Sequence, residues 1–119
     1  MARYVDGFVL TVPKKNLAAY RRMSQQAGKV WKKYGALQYR ECIGDDLKHK
    51  GVVPFTRLTK AKRNEAVFFS FIVFKSKADR DRVNAKVMKD PTVMKAMEKQ
   101  MPFNPKRMAY GGFKVLVDL

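Results

Sequence analysis

The chain holds one cysteine, Cys42, and one histidine, His49, among 119 residues. A lone cysteine excludes an intrachain disulfide and suits a reducing compartment, so a cytoplasmic protein is expected. Two such side chains cannot furnish a His/Cys zinc site. They make a poor thiol–imidazole pair too, because Cys42 falls on a strand pattern and His49 in a loop. Beside Glu41, Cys42 reads as a small buried hydrophobe. No apolar run approaches the ~18 residues of a membrane-spanning helix, so no membrane association is expected. Arg3 and Asp6 break up the apolar stretch at the N-terminus, and no signal-peptide core is expected there. Gly111-Gly112 has neither the spacing nor the following helix of a phosphate-binding loop. Acidic groups are also scarce: 10 Asp and Glu stand against 26 Lys and Arg, a formal charge of +16. The cations are spread evenly, 13 in residues 1–60 and 13 in residues 61–119, which excludes a basic tail. Such a chain binds polyanions, nucleic acid included, nonspecifically at low salt whatever its biology.

What is present is enough apolar material, 46% of residues, for one domain over residues 1–119. Arg3 to Val12 reads as a strand with Tyr4, Asp6, Phe8, Leu10 and Val12 on one side. Pro13 stops it, and a helical pattern runs from Lys14 to Tyr34. There Leu17, Tyr20, Met23, Ala27, Val30, Trp31 and Tyr34 share one arc, opposite a basic arc that is most simply solvated. Gly35 is a natural stop. Ala36 to Ile43 reads as a second strand, Gly44 to Pro54 as a loop, and Phe55 to Lys60 as a short strand. The run Val67-Phe68-Phe69-Ser70-Phe71-Ile72-Val73-Phe74 is a strand that is apolar on both faces. Ser76 with Asp79 caps a helix to about Lys89, and Asp90-Pro91 restarts a short one. Arg107 to Leu119 closes as a strand, with Gly111-Gly112 marking a bulge.

This order, βαββαβ, folds by right-handed crossovers into an α+β, ferredoxin-like antiparallel sheet with both helices on one face. The doubly apolar strand then needs a second cover. One candidate is a second copy of the chain, stacked sheet to sheet. The other is nucleic acid, since RNA-recognition motifs share this strand order and stack bases on sheet aromatics. Phe69, Ser70, Phe71, Ile72 and Phe74 partly match that signature, but Val67 and Phe68 replace its basic residue and glycine.

Tyr4-Val5-Asp6-Gly7-Phe8-Val9-Leu10, Tyr39-Arg40-Glu41-Cys42, Gly44-Asp45-Asp46, Val83-Asn84-Ala85-Lys86-Val87-Met88, Asp90-Pro91, Met101-Pro102-Phe103 and Tyr110-Gly111-Gly112-Phe113 carry a resemblance. In that order and over nearly the whole chain, they resemble the bacterial domain of unknown function 1428 family (YbaA-like). The resemblance implies a dimeric α/β barrel, a ferredoxin-like protomer paired sheet to sheet, and brings no established activity. Phe69, Phe71 and Val73, with Phe8 of the first strand, are the candidates for the sheet face that meets a partner.

For chemistry, one constellation stands out, and neither a cofactor nor a metal is expected. Asp6 sits mid-strand among apolar neighbours, where a bare carboxylate is costly. Its structural reading is an ion pair with Arg40, or backbone donors, fixing register or a dimer contact. Its functional reading gathers Asp6, Tyr39, Arg40 and Glu41 around a cavity between sheet and helices. A carboxylate would then act as ligand anchor or base, with Trp31 in the cavity wall. Asp45-Asp46 is better suited to hydration or turn capping than to a cation.

Overall fold

The structure, a computed structural model, describes residues 1–119. Strands β1 (Tyr4–Pro13), β2 (Gln38–Ile43), β3 (Glu65–Phe74) and β4 (Ala109–Lys114) form one antiparallel sheet of order β2-β3-β1-β4. The terminal strands are neighbours and β3 is interior, the ferredoxin-like order. Helices α1 (Leu17–Tyr34), α3 (Lys77–Met88) and α4 (Pro91–Met97) cover one face, and a single helical turn, α2 (Phe55–Leu58), lies in the long β2–β3 connection.

Local chemistry sets the boundaries. Pro13 ends β1 and passes through a short 3-10 turn, Lys14–Asn16, into α1. Gly35 takes φ +122°, a backbone open to glycine, and its N–H closes on the Lys32 carbonyl. The Asp79 amide donates to Ser76 Oγ at the start of α3, and the Thr92 amide donates to the Asp90 side chain at the start of α4.

Two expectations are corrected. Phe55 to Leu58 is a helical turn and not a strand: Pro54 fixes the entry, and the Thr59 hydroxyl donates back to the Phe55 carbonyl at 2.8 Å. Gly111-Gly112 makes no bulge, because Gly111 pairs with Gly7 and Gly112 with Asp6 in unbroken register. The second glycine supplies room: a Cβ on Gly112 would stand 2.5 Å from the Tyr4 hydroxyl.

The register sorts β3 cleanly. Phe68, Ser70, Ile72 and Phe74 are buried under the helices, while Phe69, Phe71 and Val73 face the open side. Beneath the helices the apolar side chains form two clusters. One holds Val30, Ile72, Phe74, Val83, Val87 and Val93; the other holds Leu10, Val12, Tyr20, Ala66 and Phe68. No helix is long and apolar enough to cross a membrane.

Candidate functional site

The cavity lies between the two clusters. It measures about 310 Å³ and draws its wall from both, with Ile72 and Val93 on one side and Leu10 and Tyr20 on the other. Trp31 lines it from α1, Phe8 from β1, and a run of methionines (Met97, Met101 and Met108 among them) closes the end beneath α4. Methionine is flexible and polarisable, so that end adapts to what it encloses.

Within this apolar wall stands one carboxylate, Glu41 of β2. Strand alternation and the Glu41↔Ser70 register aim it under the helices. Three hydroxyls converge on it. Tyr20 donates to Oε1 at 2.7 Å, Ser70 to the same oxygen at 2.5 Å, and Tyr39 to Oε2 at 3.0 Å. No cation lies within ion-pair distance of Glu41. Burial raises the pKa of both tyrosines, and the Glu41 charge raises them further, so both stay protonated donors. Ser24, one turn along α1 from Tyr20 and 5% exposed, is the exception. Its hydroxyl lies close enough to both tyrosine hydroxyls to oppose part of the rise in their pKa, lines the cavity, and completes no hydrogen bond of good geometry. A buried hydroxyl left alone costs about 1–3 kcal/mol, which an acceptor on a bound molecule would recover.

Tyr39 holds its place because α1 has no side chain beneath it: a Cβ on Gly28 would lie 2.6 Å from the Tyr39 ring. Tyr20, Ser24 and Gly28 therefore run at i, i+4, i+8 along the face of α1 that meets β2.

Of the residues expected from sequence, Tyr39, Arg40, Glu41 and Trp31 line this cavity. Asp6 does not line it. The expected Asp6–Arg40 pair is absent, since Arg40 alternates to the opposite face of β2 and donates to the neighbouring Tyr39 carbonyl. Asp6 is bound instead from α3: Arg80 Nη1 reaches its Oδ1 at 2.6 Å and Asn84 Nδ2 its Oδ2 at 3.2 Å. Asn84 in turn accepts from Trp31 Nε1 at 2.9 Å, so Asp6 touches the cavity only through the orientation of Trp31. Phe8 is also corrected. Its register opposite Ser70 puts it on the helix-covered face, stacked near Tyr110 at 4.9 Å and away from Phe69, Phe71 and Val73.

The sequence pattern assigned no site role to Tyr20, Ser24 and Ser70, nor to Arg80 and Asn84. One signal was legible: Ser70 is the only polar residue in Val67–Phe74, and a buried hydroxyl requires a partner. The Arg80 and Asn84 contacts span 74 and 78 residues, and no spacing rule reaches that far.

The open face carries Val5 and Val9 of β1, Cys42 of β2, Phe69, Phe71 and Val73 of β3, and Phe113 of β4. Phe69 is 47% and Phe113 62% exposed. Arg40 is the only cation that the strands place on it.

The comparisons with known proteins agree with this architecture. Residues 3–105 match the family described as protein of unknown function DUF1428. The chain is 45% identical over 116 residues to the uncharacterized protein YbaA of Escherichia coli K12, covering 98% of each, and to YbaA of Shigella flexneri to the same extent. Among solved structures it is similar to a dimeric ferredoxin-like protein from an uncultured marine organism, with TM-score 0.60, 10% identity and full coverage of both chains. It is also similar to a nipsnap family protein of unknown function from Agrobacterium tumefaciens, with TM-score 0.57 and 16% identity over 96% of this chain and 88% of that one. At these identities the structures speak for the fold alone.

Proposed function

The chain belongs to the DUF1428 family of proteins of unknown function, and from that premise we propose that it is a homodimer whose protomers each bind a small, largely apolar molecule between sheet and helices. The observation that carries the binding reading is the Ser24 hydroxyl. It is buried, completes no hydrogen bond of good geometry, and lies by the tyrosines of a carboxylate that already has three donors, at the wall of an apolar cavity. A ligand with one acceptor on an apolar body satisfies Ser24 and fills space lined mainly by aliphatic, aromatic and methionine side chains. The dimer reading is supported by the exposed aromatics of the open face and by the dimeric ferredoxin-like relative in structure. A cytoplasmic setting fits the lone thiol, Cys42, on that face. A nucleic-acid reading finds little beside Phe69 and Phe71, where the strands supply a single cation for phosphate.

Trp31 is the sole tryptophan and lines the cavity, so its emission reports occupancy. Titration with 1-octanol is expected to shift that emission saturably. Ser24→Ala is expected to weaken octanol binding about fivefold, the worth of one hydrogen bond, while leaving thermal stability unchanged or raised. An unsaturable emission change, or equal affinity in the variant, would overturn the assignment.

A further inference from the structure

On the outer side of the Glu41 cluster lies a second hollow, a groove between α1 and the edge strand β2. Tyr20, Ser24, Tyr39, Arg40 and Glu41 wall both the groove and the cavity. The two hollows differ in character. The cavity is lined mostly by apolar residues, whereas the groove is bordered by Arg21, Lys29 and Lys32 of α1. The three α1 cations stand at i, i+8 and i+11 and so make one stripe along the helix. None of the three has an ion-pair partner. Lys32 donates only to a backbone carbonyl, that of Leu37.

We infer that the ligand is an amphipathic anion, with its apolar body in the cavity and a carboxylate or phosphate head in the groove. This rests on the binding reading above and adds the class and orientation of the ligand. Charge fixes the orientation. Glu41 repels an anionic head driven inward past the tyrosines, while the three α1 cations on the outer side attract it. The apolar end has the opposite preference, because the methionine- and aromatic-lined cavity is the dry surface within reach. A cationic amphiphile of the same length meets the reverse arrangement, with repulsion at the groove.

The test uses three eight-carbon probes, octanoate, 1-octanol and octylammonium, followed by Trp31 emission on the full chain. Octanoate is expected to bind about fivefold or more tightly than octanol, and octylammonium more weakly than either. Arg21→Glu combined with Lys29→Glu should abolish the octanoate preference and leave octanol affinity unchanged. The overall charge of +16 attracts any anion, so the control carries the same charge change elsewhere, Lys77→Glu with Lys86→Glu on α3. That control should keep the preference. Octanoate binding no tighter than octanol, or an equal loss in the control pair, overturns the amphipathic anion and leaves the cavity reading standing. Absence of any saturable shift with all three probes overturns both.

Discussion

Asp6 is 1% exposed near the start of β1, and its charge is met by Arg80, whose side chain is 14% exposed. Removing one member of so enclosed a pair strands the other, at a cost of about 3 kcal/mol. Arg80 also lies over the Tyr4 ring at 4.8 Å, so its displacement would loosen the end of β1 as well. Asp6→Asn is accordingly expected to lower Tm by roughly 10 °C in a thermal melt. Octanol affinity should change little, because the variant leaves Ser24 and Glu41 in place. A variant that kept its Tm and lost binding would return Asp6 to the site. At this scale the sequence was half legible. A carboxylate among Tyr4, Phe8 and Leu10 had to have a partner, but the cation came from α3 and not from Arg40.

At the scale of elements, α1 and β2 meet through a missing side chain. Alanine in a helix interior is ordinarily worth about 1 kcal/mol over glycine. At position 28 the sign should reverse, because the new Cβ would lie 2.6 Å from the Tyr39 ring. Gly28→Ala is expected to lower Tm and to displace Tyr39 from Glu41, which near-ultraviolet circular dichroism of the tyrosines would record. A second pair of elements is joined by charge: Arg107 makes two bonds to the Glu65 carboxylate, at 2.7 and 3.1 Å. Its other contacts, to the Thr59 and Lys60 carbonyls, tie the end of the β2–β3 connection to the approach to β4. Hydrogen bonds from Arg107, then from the Lys62 amide, hold the Glu65 pKa below its ordinary 4.5. A carboxylate lowered on folding stabilises fully above its unfolded pKa and loses that contribution as pH falls through the folded one. The Tm gap between wild type and Glu65→Gln should be greatest above pH 5 and close progressively below about pH 4.5; a gap that widened in acid would contradict the assignment. The helix caps and Pro13 were legible because they act within four residues. The Tyr20–Ser24–Gly28 stripe was not, since only β2 lying across it gives a small residue a role.

The whole molecule measures 38 × 38 × 20 Å, a slab one sheet and one helical layer thick. Its bare face presents Phe69, Phe71, Val73 and Phe113 to solvent in the protomer. Two such faces packed about 10 Å apart complete a sheet-on-sheet core. In the proposed dimer Cys42, exposed in the protomer and paired opposite Phe69, would be covered. Its reaction with a thiol reagent is expected to be slow at high protein concentration and to quicken on dilution, while Phe69→Lys gives a monomer that reacts fast throughout. A wild-type monomer by light scattering at micromolar concentration would remove the dimer.

Strand order, the ends of the helices and the double apolarity of β3 were determined by the sequence alone, because periodicity, proline, glycine and caps act over a few residues. Which partner meets each buried charge was decided only by the tertiary structure. Glu41 collects Tyr20 from 21 residues away and Ser70 from 29, and Asp6 collects Arg80 from 74. Side-chain alternation tells which residues share a face, but only the packing of α1 and α3 on the sheet tells which of them meet.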